Sequence, residues 1–397
     1  MRHLRLLIGT LVAASFLAVQ PESPGLAGPG FDPPGLGRAI KAQERHTQGL
    51  LTVQGVVGTG VGRTTTGKPA VKIFTERAGI SGLPRTLDGV PVVVQVTGKL
   101  FALHHACGHT GGPPGHLDAP CPPPGDPPPG DPPPEDPPDD TDPKAKLRPA
   151  PIGVSTSNIM ECAAGTIGAR VTDDGDKVYA LSNNHVYARE NQGVIGDPDD
   201  PEDLGDAVVQ PGRFDVNCAV NVDDPDDVIG TLTAFVEIDF DPSAINEVDA
   251  AIAEILNNND PELLDNATPS DGYGTPKSAI FIVPEDALPL AVQKYGRTTS
   301  LTKGNVTAIH GIVLINYDSG LAQFVDQIIV ESKKPFLKPG DSGALVVVDG
   351  GGNDLEPVGL AFASNPNGKF VIVNPIDEVL DQLSTACDCG PLAIDGD

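Results

Sequence analysis

The chain has 397 residues, enough for two or three domains, with 39% apolar and 20% charged residues, as in an ordinary folded soluble protein. It contains no tryptophan and only 4% aromatic residues, so its cores must rest on Val, Ile, Leu and Ala. The net charge of −28 argues against nucleic acid or anionic membrane as a partner, because phosphates would be repelled.

The N-terminus begins with the basic stretch MRHLR, followed by the 14-residue apolar run LLIGTLVAASFLAV at 6–19. That run is too short to span a bilayer and suits the core of a signal peptide. Gly25-Leu26-Ala27 offers a small-x-small cleavage site. Residues 1–27 are therefore expected to direct bacterial export, to the medium or the periplasm, and to leave no membrane attachment once removed. Export makes the six cysteines candidates for disulfides. Cys387 and Cys389, one residue apart, are each expected to reach elsewhere.

Residues 36–106 read as a small α+β domain. A helical pattern covers about 36–51, two strands flank a turn at 65–68, and 89–103 reads as a further strand pair. GRTTTGK, residues 62–68, has the Gly and Lys spacing of a phosphate-binding loop. Pro69 stands where a Mg²⁺-binding hydroxyl would be, and a strand follows instead of a helix, so the stretch reads as a hairpin turn. Residues 107–150 form a Cys/His segment and a Pro/Asp-rich linker. Within it, 122–143 is PPPGDPPPGDPPPEDPPDDTDP, which cannot pack a core and should run as an extended spacer of up to about 70 Å. The segment 104–121 holds four histidines with Cys107 and Cys121. A Cys107–Cys121 disulfide is the preferred reading there, with zinc the alternative.

From 151 to 397 short β-rich runs recur with turns between them, and only PIDEVLDQL, 375–383, reads as helix. About a dozen strands closed by one helix imply β-barrels or a sandwich. Two acidic loops, 196–206 and 221–228, cluster carboxylates that could attract Ca²⁺. They lack EF-hand spacing and read as solvated loops, so no cofactor is expected.

KPGDSGALVVV, 338–348, poses a chemical question. A serine hydroxyl is a poor nucleophile unless a base takes its proton, an acid orients the base and donors hold the oxyanion. His185, in ALSNNHVYA, sits where a strand runs out to an accessible barrel rim. His310 lies inside the strand VTAIHGIVLI and reads as a packing or solvent-facing residue. Asp249, in NEVDAAIAEI, is surrounded by apolar residues, and an ionised carboxylate there needs a partner. Asp239 and Asp241 are rivals at a strand end open to solvent. The order His185, Asp249, Ser342 places two groups in the first half of the β region and the third in the second half.

GDSGA (340–344) followed by LVVV resembles the nucleophile motif of trypsin-like serine peptidases, and GLAFAS (359–364) looks like the strand bordering their substrate pocket. AGTIGARV, LSNNHVYA, VDAAIA and KYGRTTSLTKG, together with VVGTGVG and DGVPVVV upstream, resemble a bacterial subgroup related to plant narrow-leaf-type proteins. The resemblance implies a mainly β fold: a chymotrypsin-like double β-barrel with a C-terminal helix, preceded by the α+β domain and the linker. It implies a peptidase with Ser342 as nucleophile, His185 as base, Asp249 orienting it, and the backbone N–H groups of Gly340 and Ser342 as oxyanion hole. The sequence departs from the commoner pattern at Asn183-Asn184, before the histidine, and at Ala344. No activation cleavage is evident: Arg148 is followed by Pro149, which resists cutting. The substrate pocket should involve Phe336, Leu337 and Phe362. No acid lies there, which predicts apolar or small residues in the cleaved protein or peptide. The alternative is a catalytically weak or inactive binding scaffold on the same fold. Oligomeric state stays open.

Overall fold

The computed structural model describes residues 36–103, 105–106, 141–175, 177–196, 205–218, 227–255 and 263–397. The leader (1–27), most of the Cys/His segment and linker, including the Cys107–Cys121 pairing, and the tips of both acidic loops lie outside them. Helix α1 (Leu36–Leu51) buries Leu36, Ala39, Ala42 and Leu50 on one face. The spacing of three to four residues places them on a single stripe. That stripe joins a core with Val61, Val71 and Ile73 from the antiparallel hairpin of β1 (Val56–Arg63) and β2 (Pro69–Thr75). The turn between the two strands closes with Thr64 N donating to Lys68 O at 2.8 Å. Strands β3 (Thr86–Leu87) and β4 (Val90–Val96) pair with each other, and β4 lies parallel to β2.

The next two strands leave this layer. β5 (Leu100–Ala102) runs parallel to one strand of the C-terminal half and antiparallel to another, while β6 (His105–Ala106) pairs within the first half of the β region. The stretch 89–103 therefore contains two strands, β4 and β5, that are not each other's partners. β4 is taken up on both sides by β2 and β3, which leaves β5 to pair elsewhere.

The first half comprises β7 (Ser155–Asn158), β8 (Ala163–Thr166), β9 (Ala169–Thr172), β10 (Val178–Ser182), the one-turn helix α2 (Asn184–Tyr187), β11 (Ala207–Val209), β12 (Val228–Phe235) and β13 (Ala251–Ile255). Pairing runs β9-β10-β13-β12-β11-β7-β8. Because β8 and β9 are consecutive pieces of one run, 163–172, the ring returns on itself. The second half comprises β14 (Leu290–Lys294), β15 (Thr302–Asn316), β16 (Leu321–Glu331), β17 (Leu345–Val348), β18 (Pro357–Ser364) and β19 (Phe370–Pro375). Its order β14-β17-β18-β19-β16-β15 closes through a β14–β15 pairing. The fold is thus a mainly β double barrel, as the sequence implied. Its cores are mostly aliphatic, with Val292, Val306, Val330, Val346 and Val371 beside Phe336 in the second barrel.

Helix α3 (Ile376–Cys387) buries Ile376, Val379, Leu380 and Leu383 in a core shared by Val171 and Leu181 of the first barrel and Leu345 and Leu360 of the second. The last strand, β20 (Ala393–Ile394), pairs with β9. Among the described residues no helix is long and apolar enough to cross a membrane. Disulfides join Cys162 to Cys218 and Cys387 to Cys389. The second corrects the expectation that Cys387 and Cys389 reach elsewhere. Asp388, at the end of α3, takes a left-handed conformation with φ 51°, and this brings the two Cα atoms to 5.1 Å.

The N-terminal layer is continuous with the second barrel. β1 pairs antiparallel with β15, Gly58 opposite Val313 and Thr59 opposite Ile312, giving one eleven-stranded sheet. A Cβ at Gly58 would lie 2.6 Å from Ile312 O, so only glycine permits this approach. Lys72 of β2 and Glu331 of β16 form an ion pair at 3.0 Å across the junction, and Thr307 Oγ1 donates to the same carboxylate. Partial burial works to raise the Glu331 pKa, but Lys72 and the hydrogen bonds outweigh it and hold the group below its ordinary value of 4.5. A depressed folded-state pKa adds stability above the unfolded value and loses it as pH falls through the folded one. Urea unfolding should therefore find Glu331→Gln less stable than wild type at pH 7. That difference should shrink as pH drops below about 4.5.

Candidate active site

The β10–β13 pairing sets Ser182 opposite Ala251. The residues just after β10 and just before β13 therefore meet at the same end of the first barrel. His185 on α2 and Asp249 are those residues. His185 Nδ1 lies 2.6 Å from Asp249 Oδ2, the His185 backbone N–H donates to Oδ1 at 3.2 Å, and both side chains are fully buried.

A third donor comes from the second barrel. Tyr317, just past β15, donates its hydroxyl to Asp249 Oδ2 at 2.8 Å. Burial, and then the Asp249 charge, raise the Tyr317 phenol well above its ordinary value. It stays protonated and remains a donor throughout the neutral range. The Asp249 main chain is held as well: its N–H donates to Asn374 Oδ1 of β19 at 3.0 Å, and its carbonyl accepts from Asn183 Nδ2 at 2.7 Å. The neighbouring Asn184 donates to Val236 O and to Asn191 Oδ1, both at 2.7 Å. The Asn-Asn pair that departs from the commoner pattern thus ties the α2 turn to the strands around it.

Ser342 lies on a loop organised around Asp341, whose carboxylate is fully buried. Thr298 N and Thr299 N donate to Oδ1 at 2.8 and 3.0 Å; Lys338 N and Thr299 Oγ1 donate to Oδ2 at 2.8 and 2.7 Å. Lys294 Nζ lies 3.5 Å from the same oxygen, and neither side chain of this pair is exposed. Burial pulls the Lys294 ammonium below its ordinary pKa, and Asp341 opposes that pull. The loop docks on β8 of the first barrel: Thr166 Oγ1 donates to Gly340 O and Thr166 N to Ser342 O, each at 2.8 Å. Gly343 has φ +92°, and a Cβ there would lie 2.3 Å from both Ser182 Oγ and Thr166 O. A glycine is required between the serine and the following strand.

The Ser342 hydroxyl donates to two main-chain carbonyls, Leu103 O at 2.8 Å and Phe362 O at 3.2 Å. Gly340 N also donates to Leu103 O, at 3.2 Å. Phe336 and Leu337 are fully buried, and Leu337 lines a cavity of about 170 Å³ with Leu103, Pro339, Ser364 and Asn365. No carboxylate lines it. The Phe362 ring points elsewhere, into the adjoining core 4.9 Å from the Phe324 ring, so Phe362 meets this region through its carbonyl.

His185, expected at an accessible rim, is 1% exposed and borders a cavity of only about 150 Å³. His310 stands apart, partly exposed, with Nδ1 2.6 Å from Asp326 Oδ1. Asp239 and Asp241 accept from local main-chain N–H groups at 2.9 Å and take no part in this site. No group of three or more residues able to hold a metal ion occurs among the described residues. Sequence reasoning passed over Tyr317, Asn374, Lys294 and Leu103. Of these only Lys294 carried a signal, as a lysine inside the strand-like run AVQKYG.

No protein-family model matches the chain, and no curated protein sequence matches it. Solved structures do. One is a glutamic-acid-specific serine protease described as using a histidine triad in substrate binding, 16% identical, covering 62% of this chain and 99% of its own, with a TM-score of 0.39. A Nocardiopsis protease is 14% identical, covering 61% and 97%, also at 0.39. A Cellulomonas bogoriensis chymotrypsin is 15% identical, covering 62% and 98%, at 0.37.

Two substitutions test the buried carboxylates. Tyr317→Phe leaves Asp249 one donor short and should cost about 1.5–3 kcal/mol in urea unfolding. Lys294→Met strands the Asp341 charge and should cost about 3 kcal/mol or more, part of which Lys294→Met/Asp341→Asn recovers.

Proposed function

We propose that the chain is an exported serine endopeptidase that hydrolyses peptide bonds through His185, Asp249 and Ser342. The observation that carries this reading is the buried His185–Asp249 pair, 2.6 Å apart and braced by Tyr317. A carboxylate so committed fixes the imidazole with Nδ1 toward Asp249, the orientation in which proton transfer runs through Nε2. In the reaction Ser342 Oγ attacks the scissile carbonyl while His185 takes its proton and delivers it to the leaving amine. Water then enters the acyl-enzyme by the reverse sequence. Gly340 N and Ser342 N are the oxyanion donors, each worth on the order of 10²–10³ in rate. Gly340 N already donates to a peptide carbonyl, that of Leu103, which supports this role.

The Lys294–Asp341 pair supports a site held in shape without a newly cut N-terminus. The carboxylate-free cavity beside Leu337 supports cleavage after apolar residues. Export rests on the leader sequence and agrees with the Cys162–Cys218 disulfide, since such bonds persist in oxidising compartments. Within the peptidases, the motif likeness favours the bacterial subgroup related to plant narrow-leaf-type proteins.

One observation favours the inactive-scaffold reading: the Ser342 hydroxyl is bonded to two carbonyls, as a purely structural serine would be. A fluorophosphonate probe separates the two. The peptidase reading expects covalent labelling that is lost in Ser342→Ala, and hydrolysis of a leucyl peptide at least tenfold faster than its arginyl counterpart. Equal labelling of wild type and Ser342→Ala would refute it, and faster cleavage after arginine would refute the apolar preference.

A further inference from the structure

Beside the serine loop the second barrel opens into a groove of about 880 Å³. Lys338 lines both this groove and the small cavity beside Leu337, so the two are neighbours. Four lysines border the groove, Lys303, Lys333, Lys334 and Lys338, against a single carboxylate, Asp349. Lys303 Nζ takes that carboxylate at 2.7 Å. Lys333, Lys334 and Lys338 are exposed, and none of them is ion-paired among the described residues. In a chain of net charge −28 this is a local reversal of sign. The screening length at physiological salt is about 8 Å, so a ligand in the groove feels these lysines more than the distant carboxylates.

Ammonium groups gathered without partners repel one another, and an anion between them relieves that repulsion. What the groove lacks narrows the kind of anion. The main-chain N–H groups of Thr298, Thr299 and Lys338, which line it, are spent on Asp341 and cannot cradle a phosphate. No arginine lines it, so the planar fork that grips a phosphate on two sides is missing too. What remains is a set of separate point charges, with Leu301 and Pro335 between them, in a space about five times that of the cavity beside Leu337. Carboxylates spaced along a polypeptide fit this better than one compact polyanion.

We infer that this groove docks an acidic stretch of the protein substrate while the neighbouring cavity holds the residue at the cut. The inference rests on the peptidase reading and adds a substrate class to it: proteins that carry a run of glutamates or aspartates near an apolar residue. The two sites share a wall. Thr298, Thr299 and Lys338 border the groove and at the same time hold the Asp341 carboxylate, one residue before Ser342. A docked stretch therefore lies against the back of the loop that carries the serine. Its contacts are made before and during the reaction alike, so docking should act on KM more than on kcat.

The test compares a leucyl peptide carrying a tail of about eight glutamates, before or after the leucine, with the same peptide carrying glutamines. The full chain is used as wild type, as Lys333→Glu/Lys334→Glu, and as Lys41→Glu/Lys144→Glu, which makes the same change in net charge away from the groove. All four lysines are exposed, so both variants should fold. In wild type one placement of the glutamate tail should lower KM about tenfold, several weak pairs acting together. That preference should vanish in Lys333→Glu/Lys334→Glu, survive in the control, and shrink between about 50 and about 500 mM salt. Wild type that cleaves both peptides with equal KM, or a control that loses the preference as fully as the groove variant, overturns the inference and leaves the peptidase reading standing. A fluorescent glutamate peptide on Ser342→Ala reads docking without turnover. Binding that is lost when Lys333 and Lys334 are reversed, together with no hydrolysis by wild type, overturns the peptidase reading and leaves the groove. A sulfated polysaccharide that binds where the peptide does not, or a dimer of this chain that the groove variant abolishes with no peptide bound, assigns the groove to another occupant and overturns the inference.

Discussion

A carboxylate without access to water must be fully paired, since an unpaired buried charge costs several kcal/mol. Two such groups, Asp249 and Asp341, set the geometry of this molecule. Asp249 draws its donors from both barrels: the His185 ring and main chain from the first, the Tyr317 hydroxyl from the second. Asp341 gathers four donors and an ammonium from within the second barrel, and so fixes the loop that carries Ser342. Neither can be satisfied unless the surrounding strands are in register. The imidazole and the serine are therefore oriented by the same requirement that holds the barrels together.

The surface between the barrels carries the rest. Thr166 of β8 holds the carbonyls on either side of Asp341, and Asn374 of β19 holds the Asp249 main chain. An aliphatic core containing residues of both barrels and of α3 backs these contacts. Polar groups lie where direction matters and apolar ones where only volume matters. The N-terminal layer uses the same second barrel as its support: through β1 it extends the sheet, and through β5 it pairs with β15 and β18.

Legibility in the sequence follows range. The barrels were readable because alternating β-branched runs between turns are local. The GDSGA turn was readable because Gly343 answers a steric demand of its immediate surroundings. Asp249 stood out because its apolar neighbours left its charge unexplained. Tyr317 and Asn374 did not, since their partner lies 68 and 125 residues away and neither side chain looks out of place among its sequence neighbours. Leu103 was least visible of all: it is 239 residues from Ser342, an ordinary leucine at the end of an apolar run. The pairing of β4 and β5 was misread for a related reason. Two adjacent strand-forming runs look like a hairpin until a third strand competes for the edge. The Cys387–Cys389 bond depends on one left-handed residue, Asp388, and aspartate does not demand that conformation.

The central claim is that a peptide carbonyl of this chain sits against Ser342 while a buried carboxylate holds the imidazole behind it. A crystal structure of the full chain tests that directly. The account predicts Leu103 O within hydrogen-bonding distance of Gly340 N and His185 Nδ1 bonded to Asp249. Density placing residues 100–103 away from Gly340, or the His185 ring turned from Asp249, would contradict it.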